Sequence, residues 1–300
     1  NKSNKLKMEE IIINEIPEIS NFLQTSNSGP IVGSVISGCE LYFITNLFSP
    51  IYFNLETKEI KEFAKASTQQ PTCIDVIERG ELVSVGYNDG SVSFWSKTNK
   101  FSFLRRHKDL HNDPIVDIKF GRDGDVLYVA DEKGVVTGIS VKEALGFINV
   151  KELPIHNCDD MISSLVISKS KACEFQVGFI MFDNYYLSFN PSLDGNFNFK
   201  KSNKFDDKVK IELYPYDNLY LMTIIHGSKF EIRQVKKDGD SVSILEETDT
   251  ECGEIISLIH LSKSLIFYLT TEGYACLINS YGKTLLKNNS NNLLEFKTPN

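Results

Sequence analysis

The sequence lacks the features that mark membrane proteins, secreted proteins and several enzyme classes. No apolar run approaches the roughly 18–20 residues that cross a bilayer. The first residues lack the apolar core of a signal peptide. Walker loops, the GxSxG nucleophile motif and the HExxH zinc motif are absent. These absences argue against a membrane-spanning helix, secretion and several common hydrolase or nucleotidase mechanisms.

Cysteine pairs at metal or disulfide spacing are also missing. The six cysteines are Cys39, Cys73, Cys158, Cys173, Cys252 and Cys276. None forms a CxxC pair, and several stand inside apolar, strand-like patterns. This usage predicts buried, reduced thiols in a cytosolic protein.

Charge and chain start carry two further expectations. The formal net charge of −8 argues against broad nucleic-acid binding. The chain begins at Asn1 rather than Met, which indicates a piece of a longer protein. An apolar fraction of 41% is enough for a packed core.

The stretch from Cys73 to Val141 repeats one pattern twice. In each copy, apolar and polar positions alternate over short segments, as in half-buried antiparallel strands. Turns rich in Asp, Asn and Gly separate the segments, and turns this short join neighbouring antiparallel strands. The first copy ends its third strand on Trp95, the only Trp, and the second begins at Ile115. Such a repeated unit predicts the blades of a propeller.

The spacing of these units extends the prediction to the whole chain. First strands are expected to begin near Ile31, Cys73, Ile115, Met161, Val209 and Ile255. Their separations, by subtraction, are 42, 42, 46, 48 and 46 residues, and WD40 repeats run about 40–45 residues. The sequence therefore predicts an all-β, WD40-like β-propeller. Seven blades with an incomplete last blade are expected, and six blades are the alternative.

The expected domain boundaries follow from the same units. Residues 1–30 are a lead-in, and residues 31–300 form the propeller. Glu10–Ile16 is expected to be a strand that completes the last blade, because its three consecutive isoleucines favour a strand. An amphipathic helix from Leu6 to Leu23, interrupted at Pro17, is the alternative. Leu293–Phe296 is expected to be the first strand of one more blade.

Four residues are predicted to be structural: Asp89, Trp95, His111 and Asp131. In WD repeats a turn Asp, a His before the first strand, a Ser or Thr and a Trp form a buried hydrogen-bond chain, which satisfies polar groups that would cost about 1–3 kcal/mol each if unpaired. Neither repeat here is complete, because Gln69 takes the His position in one and no Trp follows Asp131 in the other. A catalytic His111–Asp131 pair is the weaker interpretation, since no nucleophile accompanies it.

Four other residues are predicted to contact a partner. Arg105, Arg106 and Lys108 belong to a basic run between the second and third blades. On an acidic protein, such a loop can meet an acidic partner surface. Tyr87, beside the Asn88–Gly90 turn, is a candidate aromatic anchor. No metal, cofactor or catalytic set is predicted.

The segment from Pro71 to Phe147 resembles a known family. Gly86–Trp95, His111, Ile115–Phe120, Asp131–Val136 and Val141–Gly146 match, in order, the blade, linker, strand and turn motifs of the N-terminal propeller of the vacuolar protein sorting-associated protein 8 family, a subunit of the endosomal tethering complex CORVET. The K-x-x-x-G continuation at Lys142–Gly146 is the most specific part, because a generic WD repeat lacks it. Unlike the family, the chain has Ser96 rather than Asp after Trp95, and a Glu-Lys-Gly turn.

The resemblance implies a non-catalytic interaction platform without cofactors. Its expected partners are other tethering-complex subunits and an early-endosomal Rab GTPase in the GTP state, and nucleic acid is not expected. Its expected location is cytoplasmic and peripheral on endosomal membranes, with membrane association through partners. Two alternatives stay open: a general WD40 scaffold or adaptor in another complex, and a propeller enzyme with polar side chains around a central channel.

Overall fold

A computed structural model describes residues 16–46, 49–65, 67–77, 81–144, 147–191, 198–237, 240–262, 264–279 and 284–289. The chain divides into two compact units. The larger unit is Ile16–Asn203, and the smaller unit is Lys204–Asn300 together with Asn1–Glu15. Among the described residues there are one helix, α1, and 24 strands.

The larger unit contains four sheets, each with four antiparallel strands in chain order. The first sheet consists of β1 (Gly33–Ser37), β2 (Glu40–Ile44), β3 (Pro50–Asn54) and β4 (Ile60–Glu62). The second consists of β5 (Pro71–Val76), β6 (Leu82–Tyr87), β7 (Val92–Ser96) and β8 (Ser102–His107). The third consists of β9 (Ile115–Phe120), β10 (Val126–Asp131), β11 (Val135–Ala144) and β12 (Phe147–Asn157). The fourth consists of β13 (Ser164–Ile167), β14 (Gly178–Met181), β15 (Tyr186–Phe189) and β16 (Lys200–Lys201).

The smaller unit contains two sheets of the same kind. Its first sheet consists of β17 (Val209–Tyr216), β18 (Leu219–His226), β19 (Lys229–Val235) and β20 (Ser241–Asp249). Its second sheet consists of β21 (Ile255–Ser262), β22 (Leu265–Thr270), β23 (Tyr274–Asn279) and β24 (Thr284–Asn289).

These six sheets are the blades that the sequence spacing predicts. The first strands begin at Gly33, Pro71, Ile115, Ser164, Val209 and Ile255, within three residues of the expected positions. Six blades match the six-bladed alternative. The strand expected at Leu293–Phe296 lies outside the described residues, and so does the strand expected at Glu10–Ile16 except for Ile16, which caps α1.

Blades in the larger unit pack face to face. One apolar cluster joins Phe94 and Val92 of the second sheet to Ile118 and Leu127 of the third. Another buries Trp95 with Tyr42 and Tyr52 of the first sheet. Because both faces of the second sheet are covered, all residues of β6 and β7 are buried, although their sequences alternate. A blade therefore buries its apolar faces only against its neighbours.

The described part of the lead-in is helical. Helix α1 runs over Pro17–Ser26 and begins with Pro17 in its first turn, where a missing N–H costs nothing. Ile19 is buried against Phe43 and Ile51 of the first sheet. The alternative prediction of a helix from Leu6 to Leu23 is therefore confirmed for the residues after Pro17. Pro17 begins the helix and does not interrupt it.

Two glycines in the turns between second and third strands accept backbone hydrogen bonds from the chain that leads to the next blade. The carbonyl of Gly90 accepts a hydrogen bond of 3.2 Å from the His111 N–H. The carbonyl of Gly134 accepts one of 2.8 Å from the Cys158 N–H. Both glycines have positive φ, +77° and +95°, which other residues rarely adopt. These two turns thus fix the second and third blades to the linkers that follow them.

Two buried aspartates tie neighbouring first strands together in the larger unit. Asp75 on β5 accepts a hydrogen bond of 2.7 Å from the Phe120 N–H of β9. Asp117 on β9 accepts one of 2.8 Å from the Leu165 N–H of β13. Lys169 Nζ lies 2.6 Å from both carboxylate oxygens of Asp75. Because Asp75 is only 1% exposed, its charge needs these partners.

A half-buried histidine in the smaller unit makes stability depend on pH. His260 on β21 stacks on Tyr214 and shares a hydrogen bond of 2.6 Å with the Thr223 hydroxyl. Burial lowers the pKa of His260 from 6.5 to about 4. The folded state therefore favours the neutral ring, and the unfolded chain binds more protons between these two values.

We therefore expect the His260 contribution to be complete above pH 6.5, to fall as pH drops towards 4, and to level off below that. The loss should reach about 3.5 kcal/mol, since the pKa is lowered by about 2.5 pKa units and each corresponds to about 1.4 kcal/mol. Denaturant unfolding of wild type and His260→Asn between pH 4 and 7.5 measures it. An equally steep loss in the variant would show that His260 is not the cause.

Candidate functional site

The predicted basic run lies on β8, the last strand of the second sheet. Arg105 and Lys108 are exposed, and Phe103 on the same strand is 37% exposed. Phe103 contacts Trp95 edge-on, with ring centroids 5.7 Å apart. The strand thus exposes a basic side chain and an aromatic ring, and the ring rests on the core residue Trp95.

Tyr87 does not belong to that surface. Its side chain is 0% exposed, and burial raises its pKa to about 12. The expectation that Tyr87 is an accessible anchor is therefore wrong. The reason is that β6 is covered on both faces, so the turn beside Tyr87 does not expose the ring.

Arg106 has a structural environment. Its guanidinium lies over the Tyr87 ring, 5.4 Å from the centroid, and donates hydrogen bonds to Asp89 and Ser91. Ser91 Oγ donates a further hydrogen bond of 2.6 Å to Asp89. In a WD repeat, a histidine is the partner of the turn aspartate. Gln69 occupies that position here, and Arg106 is the partner of Asp89 instead.

The last strand of the neighbouring blade carries further exposed side chains. β8 and β12 contact each other, and His107 Nε2 lies 2.7 Å from a Glu152 carboxylate oxygen across them. β12 exposes Phe147 at 75% and Ile155 at 59%, and Lys151 is exposed. We give the name outer-strand surface to six of the exposed side chains on these two strands and the residue after β8: Phe103, Arg105, Lys108, Phe147, Lys151 and Ile155. Asn149, Glu152 and Pro154 of β12 are exposed as well.

Sequence reasoning singled out only part of the outer-strand surface. It identified Arg105 and Lys108 from their charge, but not the exposed apolar residues. The available signal was an apolar residue at the start of a last strand, as at Phe147, where the blade has no further strand to cover it.

The structure brings His111 and Asp131 together. His111 Nδ1 lies 2.7 Å from Asp131 Oδ2, and both side chains are buried. Asp131 Oδ1 also accepts hydrogen bonds of 2.9 Å from the Lys133 and Val135 N–H groups. The carboxylate thus holds its own turn and the linker before β9, which is a structural role.

Trp95 has a different partner from the one in a WD hydrogen-bond chain. Its Nε1 donates a hydrogen bond of 2.8 Å to the Ala64 carbonyl, in the linker before the second blade. Asp89 is bonded to Ser91 and Arg106 instead. The first incomplete repeat therefore gives Asp89 and Trp95 substitute partners. In the second repeat, the buried Nε2 of His111 has no hydrogen-bond partner among the described residues.

The described residues give little support to a small-molecule centre. A cavity of about 40 Å³ is lined by Arg122, Asp123, Gln176 and Pro191, among others, far below the roughly 300 Å³ at which ligand sites begin. Arg122 there donates to the Cys173 carbonyl. Among the described residues, no three His, Cys, Asp or Glu side chains converge to hold a metal ion. No helix in the described part of the chain combines the length and hydropathy needed to cross a bilayer.

Comparison with known proteins identifies the fold. A chain in the crystal structure of the mitotic checkpoint complex has a TM-score of 0.64 and 13% identity, covering 87% of this chain and 80% of that one. Virginiamycin B lyase from Staphylococcus aureus has a TM-score of 0.61 and 12% identity, covering 87% and 84%. The chain is an all-β, WD40-like propeller. At these identities the likeness extends to the fold alone.

No family model matches this propeller. No curated protein matches it either. Its function must therefore be argued from its own surfaces.

Proposed function

We propose that this propeller is a non-catalytic protein-interaction platform, and more specifically the head of an endosomal vesicle-tethering subunit. In this role it binds an early-endosomal Rab GTPase in its GTP form, joins other tethering subunits, and supports vesicle fusion from the cytoplasmic side of the endosome. The observation that carries the proposal is the outer-strand surface.

The outer-strand surface has the composition of a protein-binding site. Exposed Phe103, Phe147 and Ile155 supply apolar contact area, and Arg105 and Lys108 supply charge. Interfaces are enriched in aromatic residues and Arg, and a few such residues carry most of the binding energy. A strand-borne surface is also pre-organised, so binding orders few side chains.

The endosomal part of the proposal is supported by the residues that resemble the vacuolar protein sorting-associated protein 8 family. The described ones lie in β6 and β7 with their turn, in the linker at His111, in β9, in the turn before β11, and in β11 itself. Rab GTPases order their switch loops only when GTP is bound. A surface that reads those loops distinguishes the two nucleotide states.

A general scaffold in another complex is the second candidate. A chain of similar fold occurs in the crystal structure of the mitotic checkpoint complex. The same outer-strand surface suits such a role, because nothing in its composition is specific to a GTPase.

Charge reversal at two positions tests the role of the outer-strand surface. Arg105→Glu with Lys108→Glu should weaken capture of a GTP-loaded early-endosomal Rab by roughly tenfold or more, since like charges across an interface cost several kcal/mol. Pull-downs with a panel of Rab proteins, each loaded with a GTP analogue or GDP, measure the effect. Arg106 is left unchanged because its loss would disturb the Asp89 turn.

The matched control reverses two exposed lysines elsewhere, Lys133→Glu with Lys171→Glu, and should leave capture unchanged. Equal capture in both nucleotide states would contradict Rab recognition. If no Rab is captured but another complex is retained through Arg105 and Lys108, the scaffold candidate replaces the tethering one.

A further inference from the structure

The hairpin of β11 and β12 projects beyond its own sheet. The pairing of β10 with β11 ends at Val126 and Ser140, but β11 continues to Ala144, still paired with β12. In the other five sheets, the third strand ends on its last pair with the second strand. We call the projecting residues, 141–144 and 147–150, the β-arm. At about 3.3 Å per residue, the β-arm extends roughly 13 Å past the last pair with β10.

One face of the β-arm packs against the second sheet. Val141 and Ile148 are each 4% exposed and belong to the same apolar cluster as Val92 and Phe94 of that sheet. Val150, which is paired with Val141, packs against this cluster too. The core therefore holds the β-arm from one side, and this contact also fixes the direction of its other face.

The opposite face of the β-arm exposes an aromatic ring beside two lysines. Phe147 is 75% exposed, more than any other large apolar side chain among the described residues. Lys142, which is paired with Asn149, is exposed, and so is Lys151, which is paired with Ser140. Because side chains alternate between the two faces of a strand, these residues share one face. In the part of the chain that the structure describes, neither lysine forms an ion pair with a carboxylate.

The order of these side chains along the β-arm matches the layers at the surface of a bilayer. Phe147 lies farthest from the sheet. Lys142, at the level of Asn149, lies two residues or roughly 7 Å behind it, and Lys151 lies roughly 13 Å behind it. Apolar side chains of interfacial elements enter the boundary of headgroups and acyl chains by about 5–10 Å. Lysines at these distances therefore reach the headgroups when the ring enters that boundary.

The size of the β-arm favours a lipid surface over a protein. Two strands roughly 13 Å long and about 10 Å wide present roughly 130 Å² on one face, whereas a stable protein interface buries about 800 Å² on each side. For a lipid surface, a ring and two ammonium groups are enough, because each basic residue near an anionic membrane strengthens binding about fivefold. Since the whole chain is acidic, with a net charge of −8, such attraction must be local.

We propose that the β-arm binds the surface of an anionic membrane directly. Phe147 enters the boundary between headgroups and acyl chains, and Lys142 and Lys151 bind acidic headgroups. This inference goes beyond the proposed function, in which protein partners bind the outer-strand surface. Phe147 and Lys151 belong to that surface, but Lys142 does not. Vesicles that carry no protein test the lipid contact alone, so the two proposals can fail separately.

Vesicle co-sedimentation of the whole chain tests the lipid contact. The vesicles consist of phosphatidylcholine, with or without phosphatidylserine. Wild type should bind those that contain phosphatidylserine, and raised salt should weaken this binding because ions screen exposed charges. Equal binding to both kinds of vesicle, or binding to neither, would contradict the proposal without the need for any variant.

Substitutions in the β-arm locate the contact. Lys142→Gln with Lys151→Gln should weaken binding to phosphatidylserine vesicles roughly twentyfold, at about fivefold for each lysine. Phe147→Ser should weaken it roughly tenfold or more, since the apolar ring no longer leaves water. Unchanged binding in both variants would show that the β-arm does not hold the membrane.

Matched controls replace exposed side chains elsewhere in the larger unit. Lys133→Gln with Lys171→Gln removes the same charge, and Met161→Ser removes an apolar side chain that is 63% exposed. Both should bind phosphatidylserine vesicles as wild type does. If a control loses as much binding as the corresponding β-arm variant, the contact is not specific to the β-arm and the proposal is wrong.

Phe147→Trp reports whether the ring enters the membrane. Trp95 is the only native Trp and is 0% exposed, so the change in emission on adding vesicles comes from the new indole. It should shift to shorter wavelength with phosphatidylserine vesicles and be quenched by brominated acyl chains. Emission without shift or quenching would contradict insertion. If Phe147→Ser lost Rab capture in the absence of lipid but still bound vesicles, Phe147 would belong to a protein interface and not to a membrane contact.

Discussion

Asp75→Ala lowers the free energy of unfolding by about 4 kcal/mol, because one substitution removes the partner of a buried backbone N–H and of a half-buried ammonium. The Phe120 N–H loses its acceptor at 2.7 Å. The Lys169 ammonium, whose side chain is 32% exposed, loses the carboxylate at 2.6 Å. Denaturant titration followed by intrinsic fluorescence measures the change.

Asp123→Ala is the matched control. Asp123 is also in the larger unit, but its side chain is 51% exposed and its contact with Arg122 is 3.7 Å. The expected change is below about 0.5 kcal/mol. A double-mutant cycle of Asp75 with Lys169 should give a coupling of about 1–3 kcal/mol. Equal effects of the two Asp→Ala variants would show that Asp75 does not tie β5 to β9.

Gly90→Ala destabilises the protein by roughly 3 kcal/mol or more, for two reasons that add. Its φ of +77° strains any residue with a Cβ, at about 1–2 kcal/mol. The new Cβ would also lie 2.0 Å from the His111 carbonyl oxygen, so the linker to the third blade must move. Unfolding in urea, with exchange of the His111 amide hydrogen as a local readout, tests this expectation.

Gly38→Ala separates strain from contact. Gly38 has a similar φ of +62° but nothing within 4 Å of the added Cβ. Gly38→Ala should lower the free energy of unfolding by only about 1–2 kcal/mol, the cost of a left-handed backbone for a residue with a Cβ. If Gly38→Ala and Gly90→Ala lower the free energy of unfolding by the same amount, the Gly90 turn does not pack against the linker at His111 as described.

The blades could be predicted from the sequence because their signals are local. Alternation of apolar residues and the Asp–Gly turns are read within about ten residues, and the unit then recurs. The starts of β9, β17 and β21 coincide with the predicted Ile115, Val209 and Ile255. The number of blades was harder to predict, because it depends on the two ends of the sequence, where the alternation of apolar and polar residues is weakest.

The candidate site was predicted only in part, since exposure is decided by packing between blades. Tyr87 stands next to a polar turn, yet a neighbouring sheet covers it. Arg106 and Asp89 are 17 residues apart, and their pairing follows from the register of β7 with β8. Gln69 in the histidine position was a usable signal, because it left Asp89 without its usual partner.

Asp75 and Asp117 were also detectable in principle. Each is an acidic residue in the middle of an apolar first strand. They are 42 residues apart, which is the spacing between the second and third predicted blades. An acid at the same position of successive repeats indicates a repeated buried contact. Its acceptor role could not be read from sequence, since the donors are backbone N–H groups of the next blade.

Hydrogen–deuterium exchange of the propeller, alone and with a captured early-endosomal Rab, tests most directly whether the outer-strand surface binds. With the GTP-loaded Rab, we expect protection to appear in β8 and β12 and to be lost with Arg105→Glu and Lys108→Glu. With the GDP-loaded Rab, no protection is expected there. Protection confined to other strands, or identical in both nucleotide states, would contradict the proposed recognition.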